Sequence, residues 1–230
     1  MGEVILNIEL TLDSNNSLQK KNDFMNSDLS AWNVEYISQG RLWAGSVRDL
    51  PDLPSESLIL ELGCGNGKTL SVISERPWKA IAMDISSMAI RLCKSANPEI
   101  PLVLGDASIL PFRNNAFDAV FAFHISGHLL KKSRESLAKE ATRVLRTDGR
   151  LFFREFELND MRTGKGEEVE PYTYRRGRGI ITHYFSDDEA VDLFPDLKPD
   201  TVQIRRWKLH IKGENLCRSE IEAGFSKSKK

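Results

Sequence analysis

The chain is 230 residues long and 40% hydrophobic, with 32 basic and 33 acidic residues and a formal net charge of −1. That length supports one substantial core, and that balance excludes a global field able to draw nucleic acid or a membrane surface. Three scattered cysteines (Cys64, Cys93, Cys217), no leader-like N-terminus and no long apolar run exclude a disulfide framework, a metal site and a membrane span, and point to a cytoplasmic protein.

Residues 1–28 read as a flexible N-terminal arm. Val4, Leu6, Ile8 and Leu10 alternate as in a short strand, and Asp13 to Lys21 are polar and turn-rich. Ser27 to Gly40 read as a short helix capped by Asp28 or Ser30, with Trp32, Tyr36 and Ile37 on one face. Trp43 follows, and prolines at 51 and 54 bound a linker. From Leu58 the pattern alternates. Strands are expected at Leu58–Leu62, Ala80–Met83, Leu102–Leu104, Ala119–Phe123 and Arg150–Arg154, and helices at Lys68–Glu75, Ser87–Ala96 and Lys132–Leu145. The strand runs are nearly continuous in apolar residues, as when both faces of a parallel sheet are covered. An α/β, Rossmann-like doubly wound sheet is the expected fold.

Past Glu157 the alternation stops. Asn159 to Gly179 read as a long polar loop carrying Arg175, Arg176 and Arg178, with Glu167, Glu168 and Glu170 close by in sequence. Asp187 to Phe194 read as a helix capped by Ser186. Thr201–His210 and Asn215–Phe225 read as a closing antiparallel hairpin around Gly213, and Lys227–Lys230 as a frayed basic tail.

Leu58-Ile59-Leu60-Glu61-Leu62 runs into a turn with glycines at 63, 65 and 67 and then a helix. Bare glycine backbone and a helix N-terminus suit a nucleotide ligand. The spacing matches neither the phosphate loop nor the dinucleotide fingerprint, which disfavours a nicotinamide-dependent oxidoreductase. Glu61, Asp84 and Asp106 close the first three strands, so all three carboxylates are expected in one crevice off the carboxyl ends of the sheet. There Asp84 can accept from ribose hydroxyls, Asp106 from an exocyclic amine, and Glu61 can steady the turn or a cationic group.

At these residues the chain resembles the class I S-adenosylmethionine-dependent methyltransferases. Leu60 to Gly67 is similar to that family's first motif, Asp84 to its ribose-binding acidic position and Asp106-Ala107 to its adenine-binding one. Phe117 to Phe123 and Arg143 to Leu151 resemble its fourth- and fifth-strand motifs. The resemblance spans about residues 58–155, two-fifths of the chain. It implies a seven-stranded sheet with the last strand antiparallel. It also implies S-adenosyl-L-methionine as cofactor, held by Glu61, Gly63, Cys64, Gly65, Gly67, Asp84, Ile85, Asp106, Ala107 and Phe123. The domain then covers residues 29–226, with a cofactor half to about 155 and an acceptor-side segment beyond. A looser similarity, carried by Trp32 and Tyr36, Phe153 to Phe156, Tyr174 to Arg178 and Tyr184 to Asp188, is to the branch that makes 3-methylcytidine in tRNA. There the equivalents of Trp32 and Tyr36 help cover the cofactor. The region ahead of the core is shorter here than in that branch.

The fourth strand ends not in Asn-Pro-Pro-Tyr but in Phe123-His124-Ile125-Ser126-Gly127-His128. Either histidine can serve as a general base, with His128 favoured, and either can equally pack or cap. Arg154 and Glu155 are expected at the acceptor pocket or as a structural ion pair. Arg175, Arg176 and Arg178 can clamp an anionic acceptor, and Asp160 and His183 are further pocket candidates. The leading expectation is methyl transfer to an N or O nucleophile of a small-molecule or protein acceptor. A tRNA acceptor is the runner-up, and a non-catalytic nucleoside-binding scaffold is the alternative from another class.

Overall fold

A computed structural model of the chain describes residues 30–38, 50–211 and 213–229. The expected N-terminal arm, the cap at Asp28 and Trp43 lie outside the described residues. Residues 30–38 form helix α1. The alternating core follows as β1 (Leu58–Leu62), α2 (Lys68–Ile73), β2 (Lys79–Asp84), α3 (Ser87–Ala96), β3 (Leu102–Leu104), β4 (Phe117–Phe123), α4 (Lys131–Val144) and β5 (Leu145–Phe156). Then come β6 (Glu167–Glu170), β7 (Thr173–Arg176), β8 (Ile180–His183), α5 (Asp187–Asp192), β9 (Lys198–Ile211) and β10 (Glu214–Ser226). Among the described residues no helix is long and apolar enough to cross a membrane.

The main sheet has seven strands in the order β3-β2-β1-β4-β5-β10-β9. β1 pairs parallel with β2 and β4, and β10 is antiparallel to both β5 and β9. The doubly wound expectation and the reversed last strand therefore hold. The order reverses between β1 and β4, which is where such sheets open a ligand crevice. Leu60, Leu62, Val120, Phe153 and Ile221 bury one face, and Ile59, Leu70, Cys93, Phe121 and Phe152 bury the other. Two-sided burial is the physical reason these strands read as unbroken apolar runs.

Four local expectations are corrected. The long polar loop carries a second, antiparallel sheet, β6-β7-β8. Its strands are held by cross-strand pairs such as Glu167 with Arg175, so their polarity hid them. β5 begins at Leu145, and a register shift between Phe117 and Ala119 of β4 absorbs the Thr147–Gly149 turn, where Asp148 has φ +64°. Lys227 is not frayed. Its Nζ donates to Thr142 O at 2.8 Å and Leu145 O at 2.7 Å, covering carbonyls at the end of α4. On α1, Tyr36 is buried but Ile37 is 66% exposed, so Trp32, Asn33 and Tyr36 form the inward face. The α5 expectation holds, with Ser186 Oγ accepting from Glu189 N at 3.0 Å, although the helix ends at Asp192.

Candidate functional site

The turn after β1 is shaped by backbone that side chains rarely adopt. Gly65 has φ +54°, and a Cβ there would stand 2.7 Å from Tyr36 Oη. Gly63 N and Cys64 N both donate to Met83 O, at 2.8 and 3.0 Å, tying the turn to β2. At the end of β2, Asp84 Oδ2 accepts from Gly65 N and Oδ1 from Ser86 N, both at 2.8 Å. Burial pushes the Asp84 carboxyl above the usual carboxylate range, opposed by the amides of Ser86, Gly65 and Ile85. With three amides on its two oxygens, the carboxylate keeps one lone pair for a ligand hydroxyl. Gly105 N donates to Asp84 O at 3.0 Å, and Asp106 Oδ1 accepts from Ser108 N at 2.8 Å, so the ends of β2 and β3 sit side by side. Ala107 is buried beside them.

Glu61 is 3% exposed, and among the described residues its Oε2 has no hydrogen-bond partner. Burial first, then the nearby Cys93 and Asp84, push its carboxyl up to about 8, opposed by a hydrogen bond to Thr69. A cationic ligand group nearby would restore the charged form. The thiol of Cys64 contacts Cys93, which together with burial raises it. The residues present thus fit a nucleoside ligand with a cationic tail: bare backbone at the turn, paired carboxylates at the strand ends, and one buried oxygen without a partner.

Helix α1 lies across this crevice. Asn33 Oδ1 accepts from Ser86 Oγ at 2.7 Å and Met88 N at 3.2 Å, docking α1 on the start of α3. Trp32 meets the His128 ring edge-on with centroids 4.8 Å apart. Arg178, in the turn between β7 and β8, reaches Ser38 Oγ, Val34 O at 3.5 Å and Glu35 Oε2 at 3.6 Å. The small sheet and α1 are thereby tied together over the carboxyl end of β4. Sequence reading missed Asn33, although it shares the face of Trp32 and Tyr36 by helical spacing.

The two histidines differ. His128 ends a 3-10 turn over Ser126–His128, and its Nδ1 is 2.7 Å from Ile181 O. A carbonyl only accepts, so Nδ1 carries the proton and Nε2 the lone pair. Burial, with a smaller push from Arg176, holds its pKa below the ordinary histidine value, so the ring is neutral near pH 7. His124 has φ +53°, a strained conformation for a side chain with a Cβ. Its Nδ1 lies 4.0 Å from Glu155 Oε2 and its Nε2 3.5 Å from Glu220 Oε1, so both nitrogens face carboxylates. Local reading could not place Glu220 beside His124, because β10 brings it there from nearly a hundred residues away.

Arg154 and Glu155 do not share a pocket. Neighbours in a strand point to opposite faces. Arg154 pairs with Glu222 Oε1 at 3.2 Å and lies 4.5 Å over the Phe123 ring, which stacks on Phe121. Glu155 is buried, and its Oε1 accepts from Gly127 N at 2.9 Å, fixing the turn before His128. Asp160 is likewise consumed, by Arg218 Nε at 2.6 Å and Ser219 N at 3.1 Å. His183 is held between Thr173 Oγ1 at 2.8 Å and Glu189 Oε1 at 2.9 Å. Arg175 pairs with Glu167 at 3.4 Å and Arg176 Nη2 donates to Tyr184 Oη at 2.8 Å, so the three arginines diverge and form no common clamp.

A family model described as a methyltransferase domain matches residues 60–153. The demethylmenaquinone methyltransferase of Paenarthrobacter aurescens is 31% identical over 191 residues, covering 81% of this chain and 72% of that protein. The tRNA N(3)-methylcytidine methyltransferase Mettl2 of Drosophila melanogaster is 28% identical over 146 residues, 57% of this chain and 45% of its own length. Among solved structures, an S-adenosylmethionine-dependent methyltransferase from Methanosarcina mazei superposes with a TM-score of 0.62 at 23% identity, over 77% of this chain and 95% of the other. A Burkholderia thailandensis 1,6-didemethyltoxoflavin-N1-methyltransferase with bound S-adenosylhomocysteine superposes with 0.58 at 14% identity, over 96% and 94%. Glycine turn, strand-end carboxylates, sheet order and relatives agree: this chain belongs to the class I S-adenosylmethionine-dependent methyltransferases, and S-adenosylmethionine is its cofactor.

Proposed function

We propose that the enzyme methylates an N or O nucleophile of a small-molecule or protein acceptor, in the cytosol, with His128 as proton acceptor. The observation that carries this reading is the neutral His128 imidazole, whose Nδ1 proton is fixed on Ile181 O so that Nε2 is the unprotonated nitrogen. When bound, S-adenosylmethionine supplies an activated methyl group and its leaving group. The chain's own contribution is to orient the nucleophile, take its proton and keep water out, and such positioning is worth about 7–11 kcal/mol. Trp32 and Tyr36 on α1 serve as the cover, and Gly63, Cys64, Gly65 and Gly67 as the cradle. Asp84 and Ile85 hold the ribose side and Asp106, Ala107 and Phe123 the base side. His124, between Glu155 and Glu220, suits an orienting role more than proton abstraction, since its nitrogens face these two carboxyl groups at 4.0 and 3.5 Å. Arg154 acts as a structural ion pair.

The small acceptor is supported by the wall that α1 and the β7–β8 turn make over the site, with Arg178 spent on α1 and Arg175 on Glu167. The adjacent, unbridged thiols of Cys64 and Cys93 support a reducing compartment. The test is transfer of labelled methyl groups into a small-metabolite fraction, a protein fraction and total tRNA, with His128→Asn beside the wild type. Label in either of the first two fractions, with the variant slower by about 10²–10³ at unchanged cofactor affinity, supports the reading. Label confined to tRNA overturns the acceptor assignment, and an unimpaired variant overturns the role of His128.

A further inference from the structure

The acceptor side of the sheet carries an electrostatic imbalance. Three guanidinium groups, those of Arg162, Arg176 and Arg218, gather around Phe156, Tyr184 and Asp160. Arg218 takes the one carboxylate, with Nε 2.6 Å from Asp160 Oδ2, and stacks 4.4 Å from the Phe156 centroid. The other Asp160 oxygen accepts the backbone N–H of Arg162 at 3.0 Å. The next carboxylate, Glu157, is occupied by Ser219 Oγ at 2.6 Å, Asn159 Nδ2 at 2.5 Å and Arg206 at 3.5 Å. Among the described residues the hydrogen-bond partner of Arg176 is neutral, the Tyr184 hydroxyl at 2.8 Å. Arg162 is half-buried, 5.8 Å from the Phe156 centroid, and among the described residues its guanidinium pairs with no carboxylate.

Gathering like charges out of water without counter-charge is unfavourable. The strain registers on Arg162, whose charged form is disfavoured by burial first and then by Arg218, with a smaller push from Arg176, and is only partly restored by Asp160, already paired with Arg218, and by the Tyr184 hydroxyl. Arg176 pairs with Ile180 and its neighbour Arg175 with Ile181, whose carbonyl holds His128 Nδ1 at 2.7 Å, so the cluster borders on the strand pair that positions the proton acceptor. Arrangements that violate local charge balance are kept where a ligand supplies the missing group. A planar guanidinium fork matches the two oxygens of a carboxylate or phosphate.

We propose that Arg162 and Arg176 form an oxyanion subsite of the acceptor pocket, so that the methyl acceptor is a small molecule carrying a carboxylate or phosphate near its reacting atom. This rests on the methyl-transfer reading above and replaces the clamp expected from Arg175, Arg176 and Arg178. It singles out Arg162, which no motif marked.

The test is thermal unfolding of the full chain with benzoate and with inorganic phosphate as probes, against chloride at matched ionic strength, for wild type, Arg162→Gln and an exposed control, Arg113→Gln. In the wild type an oxyanion raises the melting temperature saturably and chloride does not; which probe acts distinguishes a carboxylate from a phosphate acceptor. Arg162→Gln relieves repulsion, so it melts at or above the wild type without probe, while its apparent affinity for the probe falls by about tenfold. Arg113→Gln changes neither. A purely structural Arg162 would give the opposite pattern, a lower melting temperature with probe affinity retained, and that result overturns the subsite. So does an equal oxyanion response in wild type and Arg162→Gln, or none in either. Displacement of both probes by a short RNA oligonucleotide overturns the small-molecule acceptor. Calorimetric titration with S-adenosylmethionine on the same samples separates the failures. Cofactor binding without an oxyanion response sinks the subsite alone. An Arg162-dependent oxyanion response without cofactor binding supports the subsite and sinks the methyl-transfer reading.

Discussion

Glu155 should make the stability of this enzyme fall as pH rises. Burial drives its carboxyl up to about 8, with Glu220 adding and the amides of Gly127 and Ser126 opposing. A glutamate in the unfolded chain titrates near 4.5. Between those values the folded state holds a proton that the unfolded state has lost, so the stabilisation is present below the lower value, is lost as pH rises through the window, and is gone above the upper one. Fully expressed, the gap is worth ~5 kcal/mol, and relaxation around a buried charge reduces that to ~2–3 kcal/mol. Glu155→Gln keeps the shape and the oxygen that accepts from Gly127 N, but cannot ionise. Urea unfolding should give the two proteins stabilities within ~1 kcal/mol at about pH 5, and the glutamine variant should be more stable by ~2–3 kcal/mol at about pH 9. Glu61, also near 8, is common to both and cancels in the difference. A difference that does not vary with pH, or a glutamine variant less stable at the alkaline end, would refute the assignment of a buried, reluctant carboxylate to this position.

Three further outcomes follow from single contacts. Gly65→Ala places a methyl group 2.7 Å from Tyr36 Oη at φ +54°, and should cost ~1–3 kcal/mol and weaken S-adenosylmethionine by at least about tenfold in calorimetry. Arg178→Ala removes an exposed link between the β7–β8 turn and α1; unfolding should shift by less than ~1 kcal/mol, while limited proteolysis near α1 accelerates, and an unchanged cleavage rate would show that the link does not hold α1 down. Ser186→Ala removes the cap on Glu189 N and should cost ~1 kcal/mol in urea unfolding with cofactor affinity unchanged.

Leu58 to Leu62 with Gly63, Gly65 and Gly67 was legible because β1 is apolar on both faces and its turn needs left-handed backbone, two demands that composition alone expresses. The same local logic located α3, the Ser186 cap and the hairpin at Gly213. It failed over 159–179, where β6 and β7 are stabilised by cross-strand charge pairs and carry no apolar period to read.

The sequence by itself determined the doubly wound fold and the glycine turn after β1, because both are set by residues near one another in the chain: an apolar run, the turn that ends it and the carboxylate that follows. Only the tertiary structure decided how the two histidines differ, since Ile181 holds His128 from β8 and Glu220 faces His124 from β10. It also decided that Arg154 and Glu155 part to opposite faces, and that Asp160 is spent on Arg218 while the Arg162 guanidinium has no carboxylate paired to it among the described residues. Those pairings join segments 28 to 96 positions apart in the chain, and no local periodicity records which distant charge will meet which.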